Sequence, residues 1–233
     1  MKISGFVVGL GALLVAGSVH AAGIFDNITG ITPLGPTALT TANGSPFGDS
    51  FAVTGASVIT SVTLSLSASA NTDGGSIGVY LVPNAAGNIP SSTGRVLTNK
   101  TLLGAIFDSA LTTAESQPTL TTNESVAAGT YWIELVNSSD TANGGNGIAS
   151  SASWFVNNNN AGGVGTAGQF FSFALNPNAG PFGSDSDTGH AFRMIVQATA
   201  SAVSVPEPAS LAVLGAGLAG LCLTRRGRKL LLG

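Results

Sequence analysis

Apolar and hydroxyl-bearing residues take turns along Val62-Thr63-Leu64-Ser65-Leu66-Ser67-Ala68, the period of two that gives a strand one dry face and one wet face. Ser76 to Val82 is a more apolar strand stopped by Pro83. Leu102 to Phe107 follows, and then a strong candidate, Tyr131 to Val136, opened by Gly129-Thr130. Phe47 to Thr54, Gln169 to Leu175 and Ala191 to Ala198 complete the clearest set. Between 22 and 204 no stretch of useful length keeps a helical period. The intervening segments are rich in turn formers: Asn71 to Gly75 suits a hairpin, Asn84 to Gly94 a longer loop, and Asn137 to Gly147 and Asn157 to Gly168 are Asn/Gly-rich. Short strands, one-sided alternation and frequent turns predict an all-β domain over 22–198, an antiparallel, jelly-roll-like β-sandwich, with a small-residue linker over 199–204.

The two ends of the chain follow a different pattern. Residues 1–21 place Lys2 ahead of an apolar run from Phe6 to Ala16, with Val19 and Ala21 at the positions a signal peptidase reads. They predict a signal peptide cleaved after Ala21, with Ala22 as the alternative and an uncleaved anchor as the competing reading. At the other end, Val205-Pro206-Glu207-Pro208 cannot continue a helix, an uncharged apolar helix is expected over 209–224, and a basic tail occupies 225–229 ahead of the last residues, 230–233. At 1.5 Å per residue the apolar run from Ala209 to Leu223 is roughly 22 Å long. It marginally spans a bilayer core of about 30 Å. The basic residues would stay cytoplasmic, which leaves the domain on the outer side, in agreement with the signal peptide. Ala212, Ala216 and Gly220 form a small-residue stripe, for which the simpler explanation is the Ala/Gly richness of the helix.

Charge sharpens this picture. Only 8% of the 233 residues are charged, while 44% are hydrophobic, so a core can form. Five of the eight basic residues lie in the two end segments. The middle keeps Arg95, Lys100 and Arg193 against ten acids, a net formal charge of −7. Such a domain does not neutralise phosphates, which argues against nucleic acid as a partner. The single cysteine, Cys222, falls in the C-terminal apolar run, so the domain enters an oxidising compartment with no disulfide of its own.

The C-terminal segment resembles the PEP-CTERM sorting signal of Gram-negative bacteria, carried by Val205, Pro206, Glu207 and Pro208, the apolar helix, and Arg225 and Arg226. The resemblance implies recognition by an exosortase, a membrane transpeptidase-like enzyme that cuts near Pro-Glu-Pro and passes the protein to the envelope. It also implies a host that makes exopolysaccharide and biofilm. The competing reading is a plain C-terminal anchor. The middle resembles the choice-of-anchor surface domains, type R, through Phe25-Asp26-Asn27, Ser50-Phe51-Ala52-Val53, Val79-Tyr80-Leu81, Gly129 to Leu135 and Ser153-Trp154. No catalytic residues come with that resemblance.

Candidate chemistry is sparse. His20 leaves with the signal peptide, so a Ser-His-Asp triad would have to use His190, and no Gly-x-Ser-x-Gly elbow accompanies it. Asp185-Ser186-Asp187-Thr188-Gly189 has the spacing of a calcium loop, with Asp185 and Asp187 as ligands, but the acid at the twelfth position is missing, and a solvated turn explains it as well. No cofactor is expected. Trp132 shares a strand face with Glu134 and Trp154 lies near an Asn-rich stretch, so both are candidate glycan contacts; the simpler reading packs both into the core. Asn27, Asn43, Asn99, Asn123 and Asn137 each begin an Asn-x-Ser/Thr triplet, expected by chance in so polar a bacterial chain. Together these observations predict a non-enzymatic protein of the cell surface or matrix, exported by way of signal peptidase, briefly held in the inner membrane by its C-terminal helix, sorted by an exosortase-like enzyme and in contact with extracellular polysaccharide. A carbohydrate-binding or adhesive module and a secreted hydrolase are the alternatives.

Overall fold

A computed structural model describes residues 22–39, 46–69, 74–157, 170–174, 182–186 and 192–201, with the backbone alone for Ala22, 170–174 and 182–186. The chain divides after Ala200 into two compact units, and apart from Ser201 every described residue belongs to the first. Among the described residues there is no α-helix and no helix long and apolar enough to cross a membrane. The apolar run at 209–224 lies outside them.

The domain is all-β and its strand pairs are antiparallel. One sheet has the order β1 (Ala22–Asp26), β16 (Met194–Ala200), β4 (Ser57–Leu64), β11 (Thr119–Val126). A larger one has the order β10 (Thr101–Phe107), β6 (Ser76–Ala85), β12 (Gly129–Asn137), β3 (Phe47–Val53), β14 (Phe170–Ala174), β15 (Phe182–Ser186), with β7 (Ile89–Pro90) added to β6. A third pairs β2 (Pro33–Ala38), β13 (Ala152–Asn157) and β5 (Leu66–Ala68), and β8 (Ser92–Thr93) with β9 (Val96–Leu97) forms a small hairpin.

Period-two alternation sorts the side chains. Ile77, Val79 and Leu81 of β6, Ile133 and Leu135 of β12, and Ile59, Val62 and Leu64 of β4 enter one apolar cluster with Phe25, Met194 and Val196. Burial of this common face is the main stabilising term, about 25 cal/mol per Å² of apolar surface. Trp154 belongs to the same cluster: its ring stacks on Phe192 at 4.5 Å, and its Nε1 donates to the Arg193 carbonyl at 2.9 Å.

Four expectations need correction. The strand from Ser76 does not stop at Pro83: β6 runs on to Ala85, with Pro83 opposite Tyr131 of β12. The alternating run at 62–68 is two strands, because Ser65 and Leu66 are both fully buried and the chain leaves one sheet for another between them. The segment at 71–75 does not join a hairpin, since β5 pairs with β13 while β6 pairs with β10 and β12. The loop expected after Asn84 contains β7 and leads into the β8–β9 hairpin, and it folds back over the outer face of β6 and β12.

Candidate ligand pocket on the outer sheet face

The structure brings few of the sequence-predicted site residues into view. Ala21, Val205, Pro206, Glu207, Pro208, Arg225, Arg226, Asp187 and His190 lie outside the described residues. Asp185 is placed by its backbone in β15, opposite Phe171. Among the described residues, no group of three or more His, Cys, Asp or Glu could hold a metal ion.

Trp132 and Trp154 are described, and neither offers a ring to a sugar, because both are fully buried. For Trp132 the alternation is as expected: it points away from the main core, on the face opposite Ile133 and Leu135. That outer face is covered. Val82 and Val136 flank Trp132 on the sheet face, Leu97 of the β8–β9 hairpin joins them in a buried cluster against which Tyr80 and Ile89 pack, and Nε1 donates to Asn84 Oδ1 at 2.9 Å. A ring that faces outward from its sheet is thus a second, smaller core.

Beside this small core the outer face opens into a pocket of about 150 Å³. Strand register builds its floor. Ala105 of β10 pairs with Gly78 of β6, which pairs with Val136 of β12, so three small or slim residues lie in one row. The next row places Leu102 beside Tyr80, and on the other side Phe107 stands opposite Ser76. Gly78 is what lets Tyr80 lie flat along the strand: a Cβ there would come 2.9 Å from the Tyr80 ring. The wall is the turn at Ser138, Gly144, Gly145 and Asn146. Gly145 sits so close to the Ser138 carbonyl that a Cβ would be 2.2 Å from it, so only glycine allows this tight fold-back.

Asn143 holds that wall to the β8–β9 hairpin. Its Oδ1 accepts from Leu97 N at 2.8 Å, and its Nδ2 donates to the Arg95 carbonyl at 3.0 Å and to Asp140 Oδ2 at 2.9 Å. Asp140 in turn forms an ion pair with Arg95. Lys100 Nζ donates to the Asn143 carbonyl at 2.5 Å and sits 4.9 Å from the centre of the Tyr80 ring. Burial pushes the Lys100 ammonium below its ordinary value, and the Asp140 carboxylate acts in the opposite sense. Burial pushes the Tyr80 phenol up. The Tyr80 hydroxyl has no hydrogen-bond partner among the described residues and lies against the Gly144 edge of the pocket, where a Cβ would be 3.4 Å away.

The sequence carried a signal for this pocket in the alternation Ser76-x-Gly78-x-Tyr80, small residues on one strand face next to an aromatic. What it lacked was the pairing that sets Ala105 and Val136 alongside.

A family model for the PEP-CTERM protein-sorting motif matches residues 204–229. No curated protein and no solved structure matches the chain. The chain therefore carries the C-terminal sorting signal of an exported protein, and the motif implies an exosortase as its processing partner.

Proposed function

We propose that this chain is a non-enzymatic cell-surface or extracellular-matrix protein associated with exopolysaccharide, with a jelly-roll-like β-sandwich of the choice-of-anchor R kind as its exposed domain. In this reading residues 1–21 are removed by signal peptidase. The helix at 209–224 holds the domain at the inner membrane until the exosortase acts near Pro206-Glu207-Pro208. The observation that carries the reading is the sorting motif at 204–229, which begins just after the last strand, Met194–Ala200. The use of buried polar groups supports the non-enzymatic part. Asp108 is fully buried and accepts from Ser150 Oγ at 2.5 Å and Ser151 N at 2.6 Å, and Arg193 donates to the carbonyls of Ile31 and Ile28 at 2.6 and 3.3 Å. These groups tie loops to strands.

Intact mass and C-terminal peptide mapping of the protein from its native envelope and medium test the proposal. Loss of the residues beyond 205–208 is the expected result, and any added mass identifies what replaced the tail. A chain that runs through Gly233 in every fraction rules out processing and leaves a membrane-anchored surface domain.

A further inference from the structure

We propose that the pocket above Gly78 and Ala105 binds one neutral pyranose residue of a glycan. The proposal rests on the reading of the domain as a surface protein that meets polysaccharide, and it names the site that would do so.

Size is the first argument. A cavity of about 150 Å³ is the volume that admits a single six-membered ring such as benzene. It is too small for a drug-sized ligand, which needs roughly 300 Å³ or more. Polarity is the second. The floor and the β10 rim are apolar: Ala105 and Val136 lie below, Leu102 is 56% exposed, and Phe107, opposite the lining residue Ser76, is 56% exposed just beyond the lining. Register sets Leu102 and Phe107 on the pocket side of β10. The rest of the lining is polar, from Tyr80, Ser76, Ser138 and Asn146; Ser138 Oγ donates to the Ile148 carbonyl and accepts from Ser76 N, and Asn146 Oδ1 accepts from Ile148 N at 2.9 Å, which leaves the Tyr80 hydroxyl and the Asn146 amide donors to meet a ligand. A pyranose has this two-sidedness, with a C–H face and a periphery of hydroxyls that both donate and accept. Charge is the third. No lining residue is charged, and the nearby Lys100 ammonium is engaged by the Asn143 carbonyl and the Tyr80 ring. A sulfated or uronic residue would find no counter-charge in the lining, so the ligand is neutral. The pocket is open and small, so a lone sugar binds weakly, with a Kd of roughly 1–10 mM at the ligand efficiency of small polar molecules. Repetition along a polymer surface would supply the avidity.

The test uses the processed chain purified from its host. Methyl glycosides of glucose, galactose, mannose and N-acetylglucosamine are titrated against it by saturation-transfer NMR. N-acetyl-leucine amide and N-acetyl-phenylalanine amide serve as mimics of a protein side chain. At least one glycoside is expected to bind in the millimolar range. Ala105→Leu fills the pocket from an exposed strand position and is expected to weaken that binding at least tenfold. Tyr80→Phe keeps the ring, removes the hydroxyl and is expected to weaken it several-fold. Leu102→Ala, at an exposed position, serves in place of Ala105→Leu should the larger residue lower the unfolding midpoint. The proposal is overturned by no glycoside binding up to roughly 50 mM, several-fold above the weakest expected Kd, by binding that the pocket variants leave unchanged, or by binding of the two amides alone, which would make the pocket a protein-docking site. Co-sedimentation with polysaccharide extracted from the host separates this outcome from the wider reading. Equal co-sedimentation of wild type and Ala105→Leu removes the pocket and leaves the polysaccharide association standing. No co-sedimentation of the wild type removes the association itself.

Discussion

Replacing Asn143 by alanine should open the outer lobe and leave the main core closed. Asn143 is fully buried, and its amide makes three hydrogen bonds across two loops, to Leu97 N, the Arg95 carbonyl and Asp140 Oδ2. A hydrogen bond between neutral groups is worth about 1 kcal/mol net, and one to a charged acceptor about 1.5–3 kcal/mol. The truncation therefore removes about 3–5 kcal/mol of local stabilisation. The lower end applies if water enters the space left by the amide. A loss of that size matters for a domain whose whole stability is about 5–15 kcal/mol. The damage should be confined to the hairpin and the 138–147 turn, because the bonds that hold β6 to β12 and β10 do not involve Asn143.

Hydrogen exchange read by mass spectrometry measures this directly. At 1.4 kcal/mol per tenfold change, 3 kcal/mol corresponds to roughly a hundredfold faster exchange for amides of the β8–β9 hairpin, Leu97 above all. Leu97 is part of the lid over Trp132, so the emission of that indole should shift to the red as the lid opens. Amides of Ile133 and Leu135 should keep their protection. Unchanged exchange at Leu97 would refute the account of Asn143 as the clasp. Loss of protection spread evenly over hairpin and core would refute the claim that the lobe is a separable layer.

Other consequences can be measured in the same way. Trp132→Ala and Trp154→Ala should each destabilise the domain by about 3–5 kcal/mol in urea unfolding, since both side chains are fully buried; glycan binding to Trp132→Ala should persist for as long as the sheet stays folded. Arg193→Met removes the ion pair with Glu115 and donors to the Ile28 and Ile31 carbonyls and to Asn157 Oδ1 at 2.9 Å, and with these acceptors left unsatisfied should cost about 3–5 kcal/mol and make the chain near residue 30 the first site of proteolysis; an unchanged midpoint and cleavage pattern would count against that arginine as the tie. In alkali the two shifted groups act with opposite sign. The Lys100 pKa is lowered in the folded state, so the unfolded chain binds more protons and stability rises with pH up to the unfolded lysine value of about 10.4. The Tyr80 pKa is raised, so stability falls as pH passes the unfolded tyrosine value of about 10. Lys100→Met should flatten the rise and Tyr80→Phe the fall, as read from unfolding free energies between about pH 8 and 12.

Strands with a strong apolar face were legible in the sequence. The stretch read as 131–136 is the middle of Gly129–Asn137, and 102–107 is all but one residue of Thr101–Phe107. Strands without such a face were missed for identifiable reasons. Thr119–Val126 lies at an edge, and its inward face mixes Leu120 and Val126 with Thr122 and Glu124, so no clean apolar alternation marks it. Pro33–Ala38 contains Pro33 and Pro36, neither of which can donate to a ladder; it is an edge strand against β13, where a missing N–H is tolerated. The site was less legible than the fold. Alternation correctly turned Trp132 away from the main core, but exposure depends on what lies above the sheet, and the lid is a loop more than thirty residues earlier in the chain. Periodicity reports the face a residue occupies and carries no information about a second layer.

The abundance of asparagine acquires a structural meaning from these contacts. A domain with no cysteine between residues 22 and 204 must hold its loops without disulfides. Asn27 donates from Nδ2 to the Phe192 carbonyl at 2.9 Å and accepts at Oδ1 from Met194 N at 2.7 Å, which joins the first turn to the last strand across 165 residues or more. Asn157 donates to the Asn27 carbonyl at 2.5 Å and accepts from Arg193. Asn137 donates to the carbonyls of Leu39 and Ser150 and accepts from Ser139 N and Ser150 N at 3.0 Å. Each amide supplies donors and an acceptor at once, so one buried side chain satisfies loop backbone groups that the sheets leave unpaired. Of the five Asn-x-Ser/Thr triplets, those at Asn27 and Asn137 begin with such staples, only 2% and 1% exposed, and are closed to modification in the folded chain. An aspartate in either place keeps the acceptor and loses the donors. Asn27→Asp should therefore destabilise by about 1–3 kcal/mol or more, since a buried carboxylate would face the Phe192 carbonyl. An Asn27→Asp protein with an unchanged unfolding midpoint at neutral pH would show that the sheets hold without the staple.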